Sequence, residues 1–218
     1  MPELAESWIK DYLEPRYPEL VAPYREAETI RDAALETGHL SEGSLSLLLI
    51  SARSRRTPLG ENVSGMLGSL ADQFPLARNA IREMFRDKAM HVRINALVAL
   101  HSMQKSALHD EILSVALRDK SARIRALAAD KIMSLGLRGL LPELEEAIGR
   151  EVKPELRATL EWERDLLRDG FRIDDSGKDR VGVTCRTGGG TVSAWFSKSE
   201  METKGRQWIK EKAVPGSG

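Results

Sequence analysis

The chain has 218 residues, of which 41% are apolar, 30% charged and 5% aromatic, a composition that fits a folded, helix-rich protein and excludes a disordered or fibrous one. Its 33 basic side chains balance 33 acidic ones, so no net field recommends a nucleic-acid or membrane partner. The single cysteine, Cys185, excludes an internal disulfide and points to a reducing compartment.

The start Met1-Pro2-Glu3-Leu4 has no basic lead, and no apolar run reaches the roughly 18 residues of a membrane span, so the expectation is a cytoplasmic protein that is neither exported nor embedded. Leu4, Trp8, Ile9 and Tyr12 share one face at helical spacing over residues 2–13, and Pro15 is expected to end that run. A helix over residues 24–37 places Ile30, Ala33 and Ala34 on its apolar side, with Gly38 suited to a left-handed stop. Ser41 is an N-cap for a helix carrying Leu45, Leu48, Leu49 and Ala52, and Arg53, Arg55 and Arg56 meet its negative end. Pro58 opens an element in which Val63, Met66, Leu67 and Leu70 recur at helical steps.

Residues 76–169 carry a repeat. Arg86-Asp87-Lys88, Val92-Arg93 and Ala96 recur 32 residues on as Arg118-Asp119-Lys120, Ile124-Arg125 and Ala128, and more loosely as Arg150, Glu151, Leu156, Arg157 and Leu160. A period of this length, shared by apolar, acidic and Arg positions, marks stacked helical pairs. Each unit reads as two helices around a turn at residues 87–90 or 119–122, with Ala80, Ile81, Met84 and Phe85 and then Ile112, Leu113, Ala116 and Leu117 as apolar stripes. Gly136 ends the second unit, and Pro142 and Pro154 sit at first helical turns of the third. The pair before residue 76 lacks the Asp and Arg marks and reads as a degenerate repeat.

These units resemble HEAT-like repeats of the short bacterial kind known from phycobilin lyase subunits, through Asp87, Val92-Arg93, Ala96 and Ala99-Leu100, and through Asp119, Ile124-Arg125, Ala128 and Ile132. The resemblance implies a ladder of ion pairs and hydrogen bonds between neighbouring repeats, built from Asp87, Asp119 and Glu151 with Arg93, Arg125 and Arg157. The fold expected is all-α, a right-handed α-solenoid of such pairs with a small C-terminal β-hairpin and helix as its cap. Its expected divisions are 1–75, with N-terminal helices and degenerate repeat, 76–169, with three repeats, and 170–218, with hairpin, short helix and flexible tail.

Beyond residue 170 the period changes. Val181, Val183 and Cys185 alternate with polar residues and match Val192, Ala194 and Phe196 across Thr187-Gly188-Gly189-Gly190, which reads as a hairpin turn rather than a phosphate loop because a strand follows it. Ser199 with Glu202 is the expected capping box of a short helix holding Met201, Trp208 and Ile209, and residues 215–218 read as a loose tail.

No catalytic constellation stands out. His91, His101 and His109 are spaced ten and eight residues apart, which does not place two imidazoles one helical turn apart, so neither a metal nor a cofactor is expected. Cys185 reads as a small buried apolar residue, and the carboxylate pairs Glu145-Glu146 and Glu161 with Glu163 as solvated faces. Charge is unevenly spread: residues 1–75 hold 7 basic and 12 acidic side chains, and residues 76–136 hold 11 and 6. The basic positions not used by the ladder, Arg86, Lys88, Arg118, Lys120 and Arg123, are therefore the expected partner-binding edge, with Glu143, Glu145 and Glu146 as a rival acidic patch.

The function expected is a non-enzymatic protein-binding helical-repeat module, such as an adaptor, a regulatory subunit or an inhibitor of the immunity-protein type. The alternative is a nucleic-acid-binding or base-repair protein using the basic face, although residues 86–161 contain no Phe, Trp or Tyr for base stacking. A subunit of a lyase-type enzyme is the third reading, on family analogy alone.

Overall fold

Glycine, proline and short polar side chains set the helix boundaries. The computed structural model describes residues 6–174, 179–187 and 190–213, which fold mostly as helices with one small antiparallel sheet. Helices α1 (Val21–Thr37), α2 (Glu42–Ala52), α3 (Thr57–Ala71), α4 (Pro75–Phe85), α5 (Met90–His101), α6 (Ala107–Ala116), α7 (Ala122–Leu135), α8 (Leu141–Arg150) and α9 (Pro154–Asp169) follow one another. Strands β1 (Phe171–Asp174), β2 (Arg180–Thr187) and β3 (Gly190–Ser197) precede α10 (Lys198–Ala213). Gly38 and Gly136 stop α1 and α7 in the left-handed conformation, at φ 67° and 66°, where a Cβ is strained. The Ser41 hydroxyl accepts the Ser44 N–H at 3.1 Å as the N-cap of α2. Among the described residues no helix is long and apolar enough to cross a membrane.

The N-terminal run differs from expectation. It reaches past Leu13, because a π-helical stretch, Ile9–Leu13, continues into an α-helical turn, Glu14–Arg16, and the helix stops at Tyr17, two residues after Pro15. Residues 2–5 of the expected helix lie outside the described residues.

The chain divides into two compact units, Met1–Ile112 and Leu113–Gly218. In the first, α1, α3 and α5 pack in succession, and α2 and α4 flank α3. Leu48, Leu67, Leu70, Ile81, Met84, Leu97 and Leu100 are almost wholly buried there, each worth roughly 1.5–3 kcal/mol relative to exposure. In the second unit, α7 and α8 pack on α9, α9 packs on β1 and β2, and α10 packs on β2 and β3.

The sheet order is β1-β2-β3, antiparallel throughout. The expected hairpin is present, with Val181 opposite Phe196, Val183 opposite Ala194 and Cys185 opposite Val192. Strand β1 is an addition to it: four residues of alternating Phe171, Arg172, Ile173 and Asp174 are too few to declare a strand by period alone. Val183 and Cys185 form a small core with Phe171, Ile173, Phe196 and Trp208. The capping box of α10 falls two residues earlier than expected, since the Ser197 hydroxyl accepts the Glu200 N–H at 3.2 Å and Glu200 accepts the Ser197 N–H at 3.1 Å. Gly188, Gly189 and the expected tail at 215–218 lie outside the described residues.

The helix boundaries are evenly spaced. The helices that follow the turns start at Thr57, Met90, Ala122 and Pro154, 33, 32 and 32 residues apart. One lock recurs at the turns. Asp87 accepts the Ala89 N–H at 2.8 Å, Asp119 the Ser121 N–H at 2.7 Å and Glu151 the Lys153 N–H at 3.1 Å. Arg93 donates to the Asp87 and Lys88 carbonyls, Arg125 to those of Asp119 and Lys120, and Arg157 to that of Glu151. Each arginine thus ties the turn that precedes its own helix, and Arg125 also reaches forward to Glu151 at 2.6 Å.

The pair without Asp and Arg marks does the same work with other residues. Ser54 stands where Asp87 does and accepts the Arg56 N–H at 3.1 Å, and α5 fills in for the missing arginine. Gly60 occupies that arginine's place, and the room it leaves admits Asn95, whose Nδ2 donates to the Ser54 carbonyl at 3.3 Å and the Ala52 carbonyl at 2.7 Å.

Candidate partner-binding surfaces

The turn lock aims the basic candidates outward. With Asp87 and Asp119 bonded to backbone amides, the flanking Arg86 and Lys88 in the first unit, and Arg118 and Lys120 in the second, are exposed, as is Arg123 in the first turn of α7. Arg118 is not a spare charge. Its Nη2 donates to Glu146 at 2.7 Å, and the opposite Glu146 oxygen lies 3.6 Å from Arg150. The Arg118 hydrogen bond holds the Glu146 carboxyl below the usual range. The expected basic edge and its acidic rival therefore meet in an exposed pair that adds little to stability. Lys120 and Arg123 make no ion pair among the described residues and are exposed. Glu145 is exposed and Glu143 half-buried on α8.

Two further arginines of the basic stretch 76–136 are engaged within the fold. Arg78 caps the C-terminal end of α3 by donating to the Ala71 and Asp72 carbonyls, and Arg82 binds Glu111 at 2.9 Å.

Two of the histidines have structural settings. His109 is fully buried, with Nδ1 accepting the Ser106 N–H at 3.2 Å and Nε2 bonded to the Leu100 carbonyl at 2.9 Å. The Ser106 hydroxyl also lies 3.4 Å from Nδ1, but both ring nitrogens are committed to backbone and neither faces solvent. His91 bonds the Arg53 carbonyl at 3.1 Å. Among the described residues no three His, Cys, Asp or Glu side chains form a group able to hold a metal. Cys185 is buried in the sheet core.

A further concave surface lies within the first unit. Packing of α1, α3 and α5 leaves an open groove of about 1140 Å³ whose floor includes Met66 and Val98. Arg25, Glu28, Arg31 and Asp32 of α1 line it together with Glu61 of α3. Arg25 is matched by Glu6 at 2.8 Å, and Arg31 by Asp32 at 2.7 Å and more distantly by Glu28 at 3.9 Å. Burial, only partly offset by Arg31, raises the Glu28 carboxyl above its ordinary range, while burial and then Glu28 push the Tyr24 hydroxyl up to about 12. Sequence reading centred on the basic turns and passed over this groove. Its one trace is the acidic excess of residues 1–75.

A second carboxyl departs from its ordinary behaviour. Glu163 of α9 is pushed up to about 7, first by burial and then by the nearby Asp130 carboxylate of α7, and its Oε2 has no hydrogen-bond partner. Because the folded value lies above the ordinary 4.5, the folded state takes up a proton that the unfolded chain does not hold between about pH 7 and 4.5. Its contribution therefore favours folding at low pH and is lost as pH rises through about 7. Glu163→Gln should raise stability at pH 8 by about 1 kcal/mol, a figure discounted for the side chain's partial exposure, and leave it nearly unchanged at pH 5. Urea denaturation at the two pH values measures this.

Comparison of the chain with protein-family models, with curated proteins and with solved structures finds no match.

Proposed function

We propose that this protein is a non-enzymatic binding module whose HEAT-like helix pairs stack as a right-handed α-solenoid and hold a protein partner, in the manner of an adaptor, a regulatory subunit or an immunity-type inhibitor. The observation that carries the reading is the open, charge-lined groove of about 1140 Å³ across three helices packed in succession. Repeat pairs present extended faces of this kind. The spacing of helix starts and the recurring turn lock support the repeat assignment. Arg86 and Lys88 in the first unit, and Lys120 and Arg123 in the second, supply exposed cations for acidic side chains of a partner.

Nucleic acid is the second reading, resting on the same cations, and the carboxylates of the groove disfavour phosphate there. Capture from the native organism's lysate separates the two. A protein retained after nuclease treatment, and released when Lys120→Glu and Arg123→Glu are combined, is the expected result. Recovery of nucleic acid, with every captured protein lost on nuclease treatment, would reverse the assignment.

A further inference from the structure

The geometry points to the groove between α1, α3 and α5 as the docking site for a Lys- or Arg-bearing amphipathic segment of the partner, an inference that rests on the protein-binding reading above. Size is the first argument. A helix treated as a cylinder ~10 Å across, rising 1.5 Å per residue, fills roughly 120 Å³ per residue. The 1140 Å³ of the groove then accommodates about ten residues, nearly three helical turns. Small-molecule pockets are generally no larger than about 1,000 Å³ and enclose most of their ligand, whereas this groove lies open along the helices.

Charge is the second argument. Four carboxylates, Glu6, Glu28, Asp32 and Glu61, line the groove against two guanidinium groups, Arg25 and Arg31. The ion pairs Arg25 with Glu6 and Arg31 with Asp32 use up both cations. Glu61 makes no ion pair among the described residues, and Glu28 has one distant ion pair, with Arg31 at 3.9 Å, beside a hydrogen bond with Tyr24. These two carboxylates line the groove from adjacent helices, one on α1 and one on α3, so a cationic side chain entering it meets an acceptor from each helix.

The floor supplies the third argument. Met66 and Val98 are apolar, Gly65 carries no side chain, and Leu35 at the margin is 38% exposed. An apolar stripe flanked by basic residues matches a floor of this kind between acidic walls. Acidic segments and phosphate backbones meet the same walls with like charge.

The test uses two labelled peptides of about 15 residues, long enough to span the groove as a helix. They share one leucine stripe and differ only in having Lys or Glu at the flanking positions. Fluorescence anisotropy with the full chain should show binding of the Lys peptide and none of the Glu peptide. Affinity for the Lys peptide should fall about tenfold or more in Glu28→Lys/Glu61→Lys and about threefold in the isosteric Glu61→Gln, as expected for partly screened pairs. Lys120→Glu/Arg123→Glu, which alters a different surface, should bind the Lys peptide unchanged. Circular dichroism checks that each variant is folded, and Glu61→Gln carries the test if the double variant is not. Equal binding of the two peptides, binding of neither, or full affinity in Glu61→Gln overturns the groove assignment. Failure of the peptides with a protein still retained in the lysate capture would overturn the groove assignment alone, whereas failure of both would overturn the protein-binding reading as well.

Discussion

Gly68→Ala should lower the stability of this protein by about 3 kcal/mol or more, the upper range for overpacking, even though alanine is the better helix former by about 1 kcal/mol. A Cβ at position 68 would lie 2.0 Å from the Ala99 carbonyl oxygen, a backbone atom that cannot rotate away. Helices α3 and α5 would have to separate, exposing Leu67 and Leu97, both completely buried. Gly60 and Gly65 have related settings, facing Asn95 and Ser102 of the next helix pair. Three glycines inside one helix are costly for that helix in isolation, and the close approach of its neighbour offsets the cost. Gly149→Ala is the control: its Cβ meets nothing within 4 Å, so this change in the last turn of α8 should raise stability by a few tenths of a kcal/mol. Urea midpoints for the two variants should move in opposite directions. A Gly68→Ala protein as stable as the parent would mean that α3 and α5 do not touch there.

Glu151→Gln should cost about 3 kcal/mol, the scale for removing one partner of a buried charge pair. The Glu151 side chain is 2% exposed and accepts both Nε and Nη2 of Arg125, at 2.9 Å and 2.6 Å, on one oxygen. Its other oxygen accepts the Lys153 N–H at 3.1 Å, and Arg157 holds its carbonyl. Burial alone would raise the carboxyl, but the Lys153 amide, Arg125 and the Val152 amide outweigh it and hold the group below its ordinary 4.5. The stability this group supplies is therefore present above the ordinary value and is lost as pH falls below 4.5 toward the lowered one. Thermal unfolding followed from pH 7 to pH 3 should show the parent losing its advantage over Glu151→Gln in that acid range. An advantage independent of pH would remove the charge pair as its source.

The helices were legible because their signals are local. Gly38, Ser41, Gly136, Pro142 and Pro154 act within one turn of where they stand, and each performs its expected role. The hairpin register was legible for a related reason, since alternation over residues 180–186 and 191–196 assigns Val183 and Cys185 to one face. Strand β1 was not legible, as four alternating residues have no meaning until β2 is beside them. The capping box slipped to Ser197 and Glu200 because Ser197 and Ser199 both have a glutamate three residues on, and only the end of β3 selects the first.

The candidate sites divide in the same way. That Arg86, Lys88, Lys120 and Arg123 face outward follows from the recurring sequence around Asp87 and Asp119, since a short carboxylate beside a turn bonds the backbone amides and leaves its longer neighbours to solvent. That Arg118 is paired with Glu146 depends on residues 28 positions apart, which no local pattern relates. The substitution of Ser54, Gly60 and Asn95 for an Asp and Arg lock is invisible in sequence, because the donor belongs to a different helix from the turn it ties.

The amino-acid sequence by itself determined the helix pairs, their 32-residue period and the inward Asp with outward basic residues at each turn, all of which depend on contacts within a few residues. Only tertiary structure decided where α3 could touch α5, which cations stayed unpaired and that a groove with acidic walls opens across α1, α3 and α5. Those outcomes depend on the distance between side chains far apart in the chain, and that distance is set by the packing of whole helices.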